Sequence, residues 1–227
     1  MEQAHTNRPV YAREIGELEN DVLEMASRAE AMVTRAVDAL QRMDVGLAKE
    51  VLDEDDEIDV KELVVEQRCL RLLALQQPMA SDLREIGSVI KIITDIERIG
   101  DLAVDIAKIC LKVENELGAT NYVDIPLMAN VARQMIRQST QMFVNRDKAL
   151  IFEVQKLEER VDELYRTLRS QIFTHMISKP DEAVTAGWLL LVIHHVERVA
   201  DHALNIAERC YFMITGDIAP KDEEETL

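Results

Sequence analysis

Aromatic residues make up only 4% of this 227-residue chain, which has 7 glycines, 5 prolines and a single tryptophan. Strand signals are nearly absent, so a sheet protein is excluded. Basic residues are outnumbered, 26 Lys and Arg against 43 Asp and Glu, for a formal net charge of −17. Such a surface repels nucleic acid and anionic lipid, whose binding needs a basic face, and tolerates cations. Acidity can equally serve solubility alone. The three cysteines, Cys69, Cys110 and Cys210, form no C-x-x-C pair. That argues against a thiolate zinc site and for buried free thiols in a reducing cytosol. The opening MEQAHTNRPVYARE holds no apolar run and does not read as a signal peptide. The longest apolar run, Trp188 to Ile193, is too short to span a bilayer, so membrane association is expected only through a partner. No G-x-x-x-x-G-K-[ST] is present, which excludes a P-loop ATPase, and there is no H-E-x-x-H. The one Glu-x-x-His, Glu2 to His5, lies outside any core helix, which disfavours the ferritin-like di-iron class. No Ser-His-Asp or Cys-His constellation can be assembled.

What is present is helix. Ala, Leu, Glu, Arg and Met dominate a chain that is 48% hydrophobic and 30% charged, the balance of a globular helical protein. After a loose arm over residues 1–12, apolar residues step by three and four from Ile15 to Met43, until Asp44 and Gly46 interrupt. A second helix spans about 47–75, ended by Gln76-Gln77-Pro78. A third is capped by Ser81 or Asp82, runs to Leu117 and is closed by Gly118. A joint over 121–126 leads, through Pro126, into a fourth helix to about 145. Asp147 caps the fifth, to Ile177. After a break at Ser178 to Asp181, the sixth runs from 182 to Thr215, is stopped by Gly216, and leaves a frayed acidic tail.

The six helices are two copies of a three-helix unit. Glu97 to Ala107 reads ERIGDLAVDIA and Glu197 to Ala207 reads ERVADHALNIA, 100 residues apart without a gap. The second and fifth helices align at a spacing of 103. The expectation is an all-α fold of six long helices, arranged as two tandem antiparallel three-helix bundles over residues 13–118 and 121–216. Residues 1–12 and 217–227 are expected as flexible termini.

The repeats share a chemical oddity. Each of four helices carries an acid followed four residues later by Asp: Asp55/Asp59, Glu97/Asp101, Glu158/Asp162 and Glu197/Asp201. The leading acids interrupt apolar seams, and Glu62 also occupies a seam position. Spacing by four stacks both carboxylates on one face, where like charges are destabilising unless a cation is shared. All-oxygen ligation suits Mg²⁺, Ca²⁺ or Mn²⁺, and bridging carboxylates suit iron. The alternative is a set of acids in a polar groove or interface. Among the remaining candidates, His194 lies near the Glu197 strip, while His175, His195 and His202 are expected to face outward or cap. Arg98 and Arg198 are expected to pair with acids of neighbouring helices. Gly100 and Ala200 let helices approach, and Trp188 packs.

A six-helix chain of two repeats with these motifs in the third helix of each resembles the PhoU family, from about residue 13 to 215. The resemblance implies a cytoplasmic, non-enzymatic protein that dimerises and negatively regulates phosphate uptake and the phosphate-starvation response. It further implies an adaptor between the ATPase subunit of the phosphate ABC transporter and a sensor histidine kinase. It implies metal ions (iron, manganese, magnesium or zinc) on Asp55, Asp59, Glu97 and Asp101 at one site and on Glu158, Asp162, Glu197 and Asp201 at a second. Within the repeats Asp105 has become Asn205, which lowers the charge of the second site. The competing readings are a carboxylate-bridged metalloenzyme of helical-bundle type and a metal-free acidic scaffold.

Overall fold

The computed structural model describes residues 8–76, 78–113 and 123–221. Among them there is no strand. The helices are α1 (Arg8–Arg42), α2 (Val45–Asp53), α3 (Asp55–Gln76), α4 (Ala80–Val113), α5 (Ile125–Asn145), α6 (Leu150–Ser178) and α7 (Ala183–Thr215), with a short 3-10 turn at Pro180–Glu182. The six-helix expectation holds with one amendment. The second helix is interrupted at Glu54, which keeps helical torsions (φ −83, ψ −14) while the hydrogen-bond ladder breaks. Arg35 of α1 grips both oxygens of Glu54, Nη1 lying 2.6 Å from Oε1 and Nη2 pairing with Oε2. A run of five acids, Asp53 to Glu57, is thus anchored where it would otherwise repel itself along one helix.

Local signals set most ends. Met43 and Arg146 both adopt positive φ (53° and 55°) and close α1 and α5. Each is followed by an Asp: Asp44 caps α2 by accepting the Leu47 N–H at 3.0 Å, whereas Asp147, expected as a cap, accepts the N–H of Ala149 at 3.0 Å in the preceding turn and Ala149 itself takes the cap position of α6 without a side-chain bond. Asp124 does the same for Leu127 ahead of Pro126. Gly216 sits at φ 85°, its N–H bonded to the Phe212 carbonyl, and stops α7 as expected.

Three further expectations need correction. The N-terminal arm is shorter than expected, since α1 already runs from Arg8; proline is tolerated in a first helical turn, so Pro9 does not block it. Neither Ser81 nor Asp82 precedes α4. The helix starts at Ala80, and Asp82 reaches back to accept the Met79 N–H at 3.3 Å, as a third-position acid does in a capping box. Residues 217–221 are held to the fold rather than frayed, because Gln155 donates to the Pro220 carbonyl at 2.7 Å and Ala219 packs against the core. The calls on residues 1–7, on Leu117, Gly118 and most of the joint after them, and on 222–227 lie outside the described residues.

The centre of the molecule is the antiparallel pair α4 and α7. Arg84, near the start of α4, donates to the Met213 carbonyl at the end of α7, and Lys112, near the end of α4, sits 4.2 Å over the Trp188 ring near the start of α7. α1 and α3 pack on α4, α5 and α6 pack on α7, and α1 also packs on α5. The two three-helix units therefore share one apolar core. The high mean hydropathy of α7, 1.2 over its most apolar 18-residue window, follows from its burial: it is covered on several sides, with Leu189, Val192, Ile193, Val196 and Val199 fully buried.

The pair α4–α7 is close to symmetric under exchange of the repeats. Asp95 accepts from His202 Nδ1 at 2.8 Å and from Asn205 at 3.3 Å, and at the other end Asp105 faces His195. Adding the 100-residue offset to Asp95 gives His195, and removing it from Asn205 gives Asp105.

Small residues set how closely the helices meet. A Cβ at Gly100 would lie 3.2 Å from Ile58 Cδ1, so α3 approaches α4 more closely than alanine would ordinarily allow. Replacing Gly100 with Leu is predicted to cost about 1–3 kcal/mol through overpacking, measured as a lower urea midpoint at unchanged slope. Gly100→Ala is predicted to be near neutral, because a helix-propensity gain of roughly 1 kcal/mol offsets a contact that the Ile58 methyl can relieve.

Candidate metal centre

The close approach at Gly100 sets the first acid pair of α3 against that of α4. Glu97 is the most enclosed of the four, its side chain 14% exposed. Its Oε2 is buried without a hydrogen bond; Arg98 Nε lies 3.3 Å away, outside hydrogen-bonding geometry. Burial, and then the neighbouring Asp101 carboxylate, push the Glu97 carboxyl up to about 7, with Glu62 and Asp59 of α3 adding to the rise and Arg98 opposing it. Asp55 is raised by the same causes, burial first, then Asp59 and Asp101. Acids from both helices thus feel one another across the seam. Glu62 belongs to this cluster as well, with the Thr94 hydroxyl donating to its Oε1 at 2.9 Å. It is absent from the family-derived ligand set, and its place on the apolar seam of α3 was the signal for it.

The second repeat rebuilds this arrangement between α6 and α7. Glu158 is raised by burial and by Asp162 and Asp201, and Asp201 by burial and by Glu197 and Asp162. Here more of the charge is answered. His194 Nδ1 lies 2.9 Å from Glu197 Oε2, and Arg166 donates to Asp162 at 2.6 Å. The position equivalent to Glu62 is Tyr165, whose ring lies 6.5 Å from that of His194. The acids of each repeat thus form a group whose charges raise one another, although no three of them stand together in a metal-holding arrangement among the described residues. The first group carries an additional acid and the second a histidine.

Magnitudes identify what makes these sites costly. Like charges four apart on an exposed helix cost only about 0.2–0.5 kcal/mol, whereas an unpaired buried carboxylate costs several. Burial is accordingly the first cause of the rise at Asp55, Glu97, Glu158 and Asp201. Protons relieve that cost, and so would a cation. The donor set is all oxygen in the first cluster and oxygen with one imidazole nearby in the second, which fits hard cations, and Glu97 Oε2, buried without a hydrogen bond although Arg98 is near, fits a better-placed positive partner. Among the described residues no three of these groups already stand in ligating geometry. Several side chains are turned to Arg98, Arg166 and His194 instead, so ligation requires them to swing inward.

Other expectations fare differently. Arg98 pairs along its own helix, donating to Asp101 at 2.6 Å, because its stem folds back one turn instead of reaching a neighbouring helix. His202 does not face outward: it is partly buried on Asp95. His195 is half-buried with Nδ1 enclosed, because the α4–α7 seam covers this face. His175 is likewise mostly covered, its Nε2 2.6 Å from Glu182 of the 3-10 turn. The three cysteines are buried free thiols, and burial pushes Cys69 and Cys210 up to about 12.

A family profile described as "PhoU domain" matches residues 22–110 and again 125–210. This chain belongs to the PhoU family. A phosphate-specific transport system accessory protein PhoU homolog of Aquifex aeolicus is 36% identical over 206 residues, covering 91% of this chain and 93% of that protein. The crystal structure of PhoU from Pseudomonas aeruginosa superimposes with a TM-score of 0.87 at 31% identity, covering 91% of this chain and 100% of that one. That of the phosphate transport system regulatory protein PhoU from Streptococcus pneumoniae gives 0.85 at 27% identity, covering 92% and 99%. The repeat boundaries of the PhoU profile fall within the two sequence-derived units, and each match contains both acid pairs of its repeat.

The raised Glu97 carboxyl fixes a pH dependence. In the unfolded chain it titrates near its ordinary 4.5, and in the fold near 7. The folded state alone keeps the proton across that window, so its contribution to stability is present below about 4.5 and is lost as pH rises through 7. In chelator-treated protein, Glu97→Gln is predicted to raise the melting temperature at pH 8 and to flatten its fall between pH 4.5 and 7. An unchanged pH–melting profile would show that Glu97 is not the group responsible.

Proposed function

We propose that this PhoU-family chain is an accessory protein of the phosphate-specific transport system that acts without catalysis. On this reading it is a cytoplasmic homodimer that negatively regulates phosphate uptake and the phosphate-starvation response. It acts as a metal-binding adaptor between the transporter's ATPase subunit and a sensor histidine kinase. The observation that supports the reading is the presence of both acid pairs in both copies of a PhoU repeat, with carboxyls on paired helices raising one another.

The residues support a structural role for the cation. Asp55, Asp59, Glu97 and Asp101 would hold one metal ion and Glu158, Asp162, Glu197 and Asp201 a second; bound metal supplies positive charge that offsets the buried acids. Glu97 gives up its proton on binding, so affinity rises with pH up to about 7. With the acids satisfied, α3 is tied to α4 and α6 to α7, which stiffens the surfaces such an adaptor presents. The first cluster, with Glu62 added and Arg98 as its one close base, is the stronger cation site. The second is already partly neutralised by Arg166 and His194.

Two measurements test the reading. Protein purified without chelator is predicted to carry metal by elemental analysis, and Glu97→Ala with Asp101→Ala is predicted to remove about half of it and abolish metal-dependent thermal stabilisation. Metal content and melting unchanged by that pair would eliminate the first site and favour a metal-free scaffold. A strain lacking the gene is predicted to express phosphate-starvation genes in phosphate-replete medium. The purified protein is predicted to retain the transporter ATPase and the kinase in pull-downs with metal and to lose them after chelation.

A further inference from the structure

The outer face of α3 is apolar where the fold does not require it. This helix already buries Ile58, Val65, Cys69 and Leu72 against α1 and α4. Its opposite face carries Val60, Leu63, Val64, Leu70 and Leu75, each between 45% and 65% exposed. At about 100° per residue they fall on one face of the helix as a stripe, an arc shared with Gln67 and Arg71. The stripe continues beyond Pro78 into Met79 and Leu83, which are more than half exposed. Single exposed apolar residues are ordinary, but a continuous stripe of this kind marks a contact surface. The second repeat provides an internal comparison. At the equivalent places α6 has Glu163, Arg166, Thr167, Phe173 and Ser178, so the same helix position folds with a mostly polar outer face.

The charges beside the stripe select the occupant. Along it Asp56 and Glu66 are without ion-pair partners among the described residues. At one edge two basic groups are engaged by α1: Lys61 lies 2.8 Å and Arg68 2.6 Å from Asp21. Arg71, exposed on the stripe itself, is the one base of α3 without such a partner among the described residues, and the acids along the stripe outnumber it, so the free charge there is net negative. We infer that this face docks an amphipathic helix of another protein, one with an apolar face flanked by Lys or Arg. A second copy of this chain is a poor occupant, since it would set acids against acids in a chain of net charge −17. The inference rests on the adaptor reading and assigns it a surface.

The probe is a fluorescently labelled synthetic peptide of about 18 residues, long enough for a helix, with leucines on one face and arginines at its edges. A scrambled peptide of the same composition is the control. By fluorescence anisotropy the patterned peptide is expected to bind about tenfold more tightly than the scrambled one. Leu63→Ser with Leu70→Ser is expected to erase that difference, and Phe173→Ser on α6 to leave it intact. Asp56→Asn with Glu66→Gln is expected to weaken binding and reduce its salt dependence. All these positions are exposed, so melting temperatures are expected to be unchanged, which separates lost docking from lost folding. Equal affinity for the two peptides, or no effect of the α3 variant, overturns the proposal. So does conversion of a dimer to a monomer by that variant in sedimentation velocity, which would make the stripe a contact between copies. Failure to capture transporter or kinase while peptide binding persists would count against the adaptor reading and leave the docking face standing.

Discussion

Carboxylates held on a helix–helix seam are the constraint to which the rest of this structure answers. Apolar packing leaves them little choice. Ile58 seats against Gly100 and brings α3 onto α4, and one core runs through both repeats. Asp55, Glu97 and Glu158 are consequently half-buried while Asp201 keeps an exposed surface, and all four carboxyls rise, partial burial being the first cause. A helix designed only for packing would place apolar residues there. Keeping acids at these places costs stability, so whatever neutralises them, proton or cation, also governs how firmly the helices are held.

The two repeats answer that constraint differently. The first answers two of its acids with Arg98 and adds Glu62; the second supplies Arg166 and His194 and puts Tyr165 where Glu62 would be. They diverge again on their outer faces, apolar on α3 and largely polar on α6. Between them α4 and α7 preserve a near-symmetric contact, Asp95 with His202 and Asn205 at one end, Asp105 opposite His195 at the other. A duplicated unit has thus kept its core and its seam geometry while its charged and exposed residues became specialised.

Much of the fold was legible because it depends on local chemistry. Period-3.6 apolar steps, Gly216 at positive φ, and Pro126 in a first turn behave alike in any context. The eight acids were legible because they violate that periodicity at repeat-equivalent places. The break at Glu54 was not, since it depends on Arg35, nineteen residues away and on another helix. The histidines were misjudged for a related reason: a helical wheel shows which way His195 and His202 point but not that α4 covers that face.

By itself the sequence determined the helices, their duplication and the stacking of acids four apart, because each follows from spacing along one chain. Only the tertiary structure decided which acids meet. Pairing α3 with α4 and α6 with α7 turns four separate motifs into two groups whose charges raise one another. The α4–α7 contact merges two bundles into one core, and burial at that closeness, which no one-dimensional pattern contains, makes Glu97 the group that titrates near neutrality.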